Sequence, residues 1–293
     1  FIINEKENNV IHLKEDLMRS FSLSDNSIYS IYKDYEGGIW IGTMFGGVNY
    51  LPNRILTFAK YVPGSDPYSL NTKRIRGLAE DNNGCIWIGT EDNGVNVLDP
   101  RTGKVHQIYD NVPGRLITLS VKHYENHIYV GLFKQGMNDI SIPGEHLKYV
   151  SDKDLGIEEG SVYSFLKDSK GRTWIGPGWG LYVSQPKERK FHRVEEVGYN
   201  WVFDIMEARD GTIWLATMGN GVWKCDPKNN SYKNYSYKEG VDNSLSSNSV
   251  SSIMQDSKGN IWFSTDRGGI CRYNEAQDNF TTFSIEDGLP DDV

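Results

Sequence analysis

The sequence predicts an all-β fold, a β-propeller of the seven-bladed type, with six complete four-stranded blades and a partial blade. The first observation is a sentence that recurs six times, roughly D-x-x-G-x-I-W-I-G-T, three variable residues, then Gly and a short apolar strand. The clearest copies are DYEGGIWIGTMFGGVNYL (34–51), DNNGCIWIGTEDNGVNVL (81–98) and DSKGNIWFSTDRGGICRY (256–273). KDSKGRTWIGPGWGLYV (167–183) and EARDGTIWLATMGNGVW (207–223) are looser, and YENHIYVGLFKQGMNDI (124–140) is degenerate. The second observation is the period. The anchors Trp40, Trp87, Tyr129, Trp174, Trp214 and Trp262 are 47, 42, 45, 40 and 48 residues apart. A β-unit repeated every ~40–50 residues is a propeller blade. The third is length: 293 residues accommodate one array of such units, which stack on their neighbours instead of forming separate cores.

Each blade parses into four strands. Strand A carries apolar residues three apart: Ile28/Ile31, Ile75/Leu78, Val162/Phe165, Val202/Ile205 and Val250/Ile253. A tight turn follows, in which Asp34, Asp81, Asp168 and Asp256 each stand three residues before a Gly. Asp bonds local backbone amides and Gly takes positive φ, as such hairpins need. In strand B, alternation puts Trp40 and Gly42 on one face and Ile39, Ile41 and Thr43 on the other. Gly42, Gly89, Gly131 and Gly176 leave room for a neighbouring blade to approach. Strand C is the GVNYL-type run, and a polar turn such as DPRTGK, QPKERK or DPKNNS precedes strand D. Strand D carries pairs such as Ile55/Phe58, Val105/Ile108, Leu147/Val150, Phe191/Val194, Tyr232/Tyr235 and Phe280/Phe283.

A seventh such pair stands at Val10/Leu13, so the chain has seven C–D pairs against six A–B pairs. The expected division is a blade remnant at 1–13, blades near 22–58, 70–108, 115–150, 160–194, 200–235 and 248–283, and the start of a further repeat at 284–293. Residues 1–13 are expected to form two antiparallel strands of a blade whose other half lies outside the sequence. The third repeat drifts, with His123 and Asn126 at the turn Asp and Gly positions and Leu132 for Thr. The fifth has Ala208 at the Asp position, and the fourth has Pro177 for Thr.

Composition excludes several functions. A formal charge of −8 disfavours nucleic-acid binding, which needs a basic face. No run of 18 or more apolar residues occurs, so no helical membrane span is predicted. The opening FIINEKENNV lacks the basic and long apolar regions of a secretory signal. Cys85, Cys225 and Cys271 are an odd, unpatterned set, neither a disulfide framework nor a zinc site. His123 and His127 have i,i+4 spacing but straddle an A–B turn, where the helical geometry that makes that spacing metal-binding does not apply. The D-x-x-G turn has too few carboxylates for a calcium loop. No metal site and no cofactor are expected.

The repeats, together with the lead-ins SLSDNSI (22–28), SLNTKRI (69–75) and SLSSNSV (244–250), resemble the two-component-regulator propeller repeat. That repeat is found in the periplasmic sensor region of hybrid two-component system histidine kinases of Bacteroides-type bacteria, and the resemblance covers essentially the whole chain. It implies one propeller of a region that holds two seven-bladed propellers and a β-sandwich, ahead of a membrane helix and cytoplasmic kinase, receiver and helix-turn-helix parts. It further implies an oligosaccharide ligand, signalling to polysaccharide-utilisation genes, homodimerisation of the full-length protein, and membrane contact only through parts outside this chain. No enzyme activity is implied for this domain. A lyase of the streptogramin-lyase kind, whose repeats look similar, is the alternative; it needs an acid/base pair, commonly His or Glu with a metal. The variable loops hold Glu91, Asp92 and Asp266 but no His. A protein-interaction propeller of WD40 type lacks the G-H…W-D signature.

Most residues that look special here are scaffold. A buried Trp removes ~150–250 Å² from water, worth ~4–6 kcal/mol, and the Trp that recur at one repeat position are expected in blade cores. Trp179, in a B–C loop, and Trp201, just before a strand A, are off that register and are sugar-stacking candidates. Specificity is expected where repeats differ, on the face of B–C loops and D–A lead-ins, from Phe45, Arg74, Arg76, Glu91, Asp92, Lys134, Trp179, Trp201 and Arg267. Lys73, Arg115 and Asn200 stand in the same lead-ins. Rings, amides and Arg suit sugar recognition by stacking and bidentate hydrogen bonds. Arg74, Arg76 and Arg115 together favour a carboxylated or sulfated sugar, or an acidic partner surface.

Overall fold

In a computed structural model of the chain, residues 2–4, 9–11, 14–15, 22–35, 37–51, 61–64, 68–108, 117–188 and 190–289 are described. They fall into two units, Phe1–Lys60 and Tyr61–Val293. Every described sheet is antiparallel, isolated parallel bridges join Glu15 to Leu23, Pro63 to Leu70 and Tyr237 to Leu245, and the longest described helix is one turn, Asp152–Leu155. No described helix is long and apolar enough to cross a membrane.

The second unit holds five four-stranded blades, each a meander in sequence order. Their A strands are Ile75–Glu80, Thr118–Tyr124, Val162–Lys167, Trp201–Glu207 and Val250–Gln255, numbered here as blades 2 to 6. Successive A strands lie side by side, from blade 2 through blade 6. The first unit holds blade 1, with strands Ile28–Lys33, Ile39–Thr43 and Val48–Leu51; its strand D, expected at Ile55 and Phe58, lies outside the described residues. Strands Ile2–Asn4 and Asn9–Ile11 pair antiparallel, with Ile2 opposite Ile11; Leu13 is outside the described residues.

The spacing of three in strand A has a local cause. In all six blades the register against strand B shifts two residues into the strand, as between Ile75 and Gly77 or Val162 and Ser164. The extra residue of a bulge returns i and i+3 to one face. The third repeat follows the rule through Thr118 and Val121, both buried, a pair the apolar pattern does not reveal because one member is Thr.

The core of the second unit sits between consecutive blades. Trp87 packs with Val121, Ile128 and Val130 of blade 3. Trp174 packs with Val202, Ile205 and Leu215 of blade 5, and Trp214 with Phe263 and Tyr273 of blade 6. A Cβ on Gly89 would stand 2.4 Å from Val121, and one on Gly176 2.7 Å from Val202, so these positions exclude a side chain because the next blade occupies its space. Trp40 departs from the expected burial: it is 42 % exposed in the first unit, its ring on Tyr50 of the same sheet. Ile28 and Ile31, and in the second unit Ile75 and Leu78, are exposed as well. Trp262, in blade 6, is half-buried.

The turn Asp does more than shape its hairpin. Asp81 Oδ1 accepts from the amides of Asn83 and Cys85, while Oδ2 accepts from Trp87 Nε1 at 2.9 Å. The same indole bond joins Trp40 to Asp34, Trp174 to Asp168 and Trp262 to Asp256. Repeat Asp and repeat Trp are thus one device, locking the A–B turn to the blade core.

The lead-ins are scaffold too. Leu23, Leu70 and Leu245 are buried. Asn26 and Asn248 accept from the amides of Glu15 and Tyr237, pinning the chain as it enters a blade. The cysteines are free thiols, and burial pushes the Cys225 thiol up to about 12.

Candidate functional site

The B–C loops form by a shared rule. The Thr of W-I-G-T donates to the carbonyl four residues on, as Thr90 to Gly94 at 2.8 Å and Thr265 to Gly269 at 2.9 Å. That Gly has positive φ, 71° at Gly94 and 69° at Gly269, which closes the turn without a Cβ penalty. Each loop is then tied to the lead-in of its own blade: Glu91 N to Arg74 O, Phe133 N to Ile117 O, Asp266 N to Ser249 O. Lead-ins also bridge successive blades, through Gly136 N to Gly160 O, Gly180 N to Asn200 O and Gly221 N to Asn248 O. Loops and lead-ins therefore share one end of the second unit. Asn200 belongs to this bracing, since its side chain bonds Val197 O and Asn220.

Four of the candidate residues meet as two pairs on blade 2. Arg74 bonds Asp92 at 2.9 Å and Arg76 bonds Glu91 at 3.1 Å, all partly exposed. These arginines are already neutralised within their own blade, which weakens the argument for an acidic sugar that rested on them. Exposed pairs of this kind contribute only ~0–1 kcal/mol, so a ligand can exchange with either partner at small cost.

Lys134 and Trp179 stand at neighbouring loop tips. Lys134 has φ of 56° and donates its amide to Ser161 Oγ at 3.0 Å. Glu159 accepts from Ser161 and from the Gly178 amide, which holds the loop that carries Trp179. Trp179 is 56 % exposed. Trp201 is 39 % exposed and stacks on Phe203, with Tyr163 edge-on to both. Burial, and then the charge of Glu159, raise the Tyr163 hydroxyl above its ordinary value.

Arg267 belongs to the B–C loop of blade 6 and Phe45 to that of blade 1. Arg267 takes φ of 56° and has only its neighbour Asp266 as ionic partner among the described residues, at 3.8 Å. Phe45 belongs to the first unit, 82 % exposed, its amide held by Asp25 Oδ2. Asp25 accepts from the Ser27 amide and then the Phe45 amide, and these bonds lower its carboxyl below the usual range. Arg115 lies outside the described residues.

Strand A contributes residues the sequence reading missed: Lys122, Tyr163, Phe203 and Asp204 join the candidate Arg76 in lining a cavity of about 200 Å³ where the A strands of blades 2 to 5 converge. Lys122 Nζ lies 3.7 Å from Asp204 Oδ1, joining blades 3 and 5. Asp204 Oδ2 also accepts from Ser252 Oγ and Ile253 N of blade 6. The position is Ser or Gly in every other blade (Ser30, Gly77, Ser120, Ser164, Ser252), and an alignment of that column exposes Asp204 as the odd member. The arrangement offers aromatic faces, exchangeable ion pairs and a charged axial floor, which suits a hydroxylated ligand.

Four segments, residues 22–45, 69–92, 197–219 and 244–267, match the model of the two component regulator propeller. Among curated proteins no sequence matches the chain. Among solved structures, the chain is similar to the extracellular domain assigned to a hybrid two component system of B. thetaiotaomicron, with 28 % identity and a TM-score of 0.64, over 91 % of this chain and 35 % of that one. A second extracellular domain from B. thetaiotaomicron, assigned to a one component system, matches with 18 % identity and a TM-score of 0.65 over the same shares. The chain thus spans about a third of the length of these two structures. Virginiamycin B lyase from Staphylococcus aureus, solved in a catalytically inactive form with quinupristin, shares 12 % identity and a TM-score of 0.59, over 90 % of this chain and 86 % of that one. At that identity the likeness to the lyase concerns the fold alone.

Proposed function

Because the chain carries two component regulator propeller repeats, we propose that it is the extracytoplasmic ligand-sensing part of a hybrid two-component sensor histidine kinase. In this reading it detects carbohydrate fragments and signals to polysaccharide-utilisation genes, from a periplasmic region that continues into further domains. The observation that carries the reading is the match, at 28 % identity over 91 % of the chain, to the extracellular domain of a hybrid two component system. The candidate face supports it. Its variable residues are rings, amides and paired charges, a binding inventory, and its carboxylates Glu91 and Asp92 are each engaged by an arginine instead of facing one another as an acid/base couple.

In this reading the domain binds its ligand without turnover. The direct test incubates the protein with oligosaccharide pools cut from different plant and host polysaccharides, reading melting temperature and chromatographing the sugars afterwards. One pool is expected to raise the melting temperature and to be recovered intact. Conversion of that pool to unsaturated or shortened products, lost on Glu91→Gln, would establish the lyase alternative.

A further inference from the structure

Blade 5 keeps the repeat indole but lacks the turn Asp that accepts from it. In blades 1, 2, 4 and 6 the repeat indole donates to a turn Asp at 2.9, 2.9, 2.8 and 3.0 Å. In blade 5 the residue six before the Trp is Ala208, and Trp214 Nε1 is fully buried with no acceptor among the described residues. Buried N–H groups without a partner are rare in folded proteins, and each asks what completes it.

The surroundings of that N–H are specific. Ala208 and Trp214 border a cavity of about 540 Å³ between the A–B turn of blade 5 and the A–B and C–D turns of blade 6. It lies at the end of the blades opposite the loops of the sensing face. Its walls carry Arg209, Lys224, Lys258 and Arg272 against Asp210 and Glu275, a local excess of positive charge in a chain of net −8. Lys224 is half-buried, with Nζ 5.3 Å from the Trp214 ring centre and 5.1 Å from that of Tyr273. Among the described residues neither Lys224, Lys258 nor Arg272 has an ion-pair partner, whereas Asp210 is engaged by Thr212. Gln255, Asn274 and Gln277 add amides to the wall.

We infer that this cavity is a second binding site, for a small carboxylate-bearing molecule of the acidic-sugar class, whose carboxylate takes the place that the turn Asp fills in the sibling blades. One carboxylate oxygen accepts from Trp214 Nε1, and the Lys224 ammonium balances the charge. Arg209 is spent on the Ser257 and Asp256 carbonyls, and a single water would complete the N–H but leave Lys224, Lys258 and Arg272 without a counter-charge. A volume of about 540 Å³ is also well beyond one water and within the ~300–1,000 Å³ typical of small-molecule sites. The hydroxyls of a sugar acid match the amide wall.

The test is an NMR titration of the indole N–H resonances of the ¹⁵N-labelled protein with D-glucuronate, and with D-glucose as the uncharged control. Glucuronate at millimolar concentration is expected to shift one indole resonance downfield, to saturation, and glucose to leave it in place. Ala208→Asp supplies the carboxylate from the chain itself, so it should move the same resonance without ligand and abolish the titration. Lys224→Met should weaken glucuronate binding about tenfold. The inference is overturned if no indole resonance responds to glucuronate, if glucose shifts it equally, or if Lys224→Met or a folded Ala208→Asp binds glucuronate as the parent does. Because the cavity and the sensing loops lie at opposite ends, failure here leaves the sensing face untouched.

Discussion

Replacing Asp81 by Ala removes the acceptor that ties one A–B turn to its blade core. Asp81 is 8 % exposed and Trp87 1 %. Three bonds are lost at once, from Asn83 N at 2.8 Å, Cys85 N at 3.0 Å and Trp87 Nε1 at 2.9 Å. The two turn amides are partly reached by water and recover most of their loss. The indole N–H is not, and carries the desolvation penalty of an orphaned buried donor, ~1–3 kcal/mol. With the weakened turn added, the expected destabilisation is about 3 kcal/mol, or roughly 6 °C at ~2 °C per kcal/mol for a chain of this size. Asp81→Asn keeps one oxygen, serves either the amides or the indole but not both, and should fall about midway. Thermal melting followed by far-UV circular dichroism at neutral pH measures all three proteins. Blade 5 shows how a blade does without the Asp, since Asp210 Oδ1 takes over the Thr212 amide there; in blade 2 Asn83 holds the matching position and can replace the acceptor for one turn amide, but not the acceptor for the indole. If Asp81→Ala melts within about 1 °C of the parent, the Asp–Trp bond is not what holds the turn.

Other expectations follow from burial and charge. Trp87→Ala should destabilise by ~3–5 kcal/mol as a core deletion, whereas Trp40→Ala, at a site 42 % exposed, should cost clearly less; equal denaturation midpoints for the two would contradict the burial difference. Bonds from Asn260 and then Trp262 hold the Asp256 carboxyl down to about 2, against an ordinary 3.8. Its contribution to stability is therefore complete above pH 3.8 and lost as pH falls through about 2. Urea midpoints of parent and Asp256→Ala, compared across that window, should converge as pH drops, and a constant gap would show that the carboxylate is not responsible. Arg74→Ala with Arg76→Ala removes two exposed pairs and should shift stability by no more than ~1 kcal/mol each, while weakening the ligand response of a reporter strain. An unimpaired response would remove blade 2 from the sensing face.

The repeat made the scaffold legible because packing between blades restricts the same positions each time. Trp87, Trp174 and Trp214 are where the period puts them, and Gly89 and Gly176 lack side chains for the reason alternation gives. Bulges were not readable as such, although the spacing of three in strand A is their trace. The S-L-x-x-N lead-in is legible in the sequence as a motif but not as a device, and the fold supplies the reason for it: Leu245 is buried and Asn248 caps the entering chain. At the site, Arg74, Arg76, Glu91 and Asp92 stood out singly as variable residues, and only coordinates pair them, since blade geometry brings position 74 to 92 and 76 to 91. Tyr163, Phe203 and Asp204 escaped because they sit in strands, where apolar pattern drew attention to their neighbours. The unpartnered Trp214 was implicit in Ala208, but drift in a turn carries no message until the turn Asp is known to hold the indole.

Hydrogen exchange with and without the stabilising oligosaccharide pool tests the sensing face most directly. Bound sugar should slow exchange in the B–C loops and lead-ins of blades 2 to 5, around Glu91–Asp92, Lys134, Trp179 and Trp201, and leave the A–B turns at Asp81, Asp168 and Asp256 unchanged. Protection confined to the A–B and C–D turns, with the loops exchanging as before, would contradict the assignment of ligand sensing to the variable loop face.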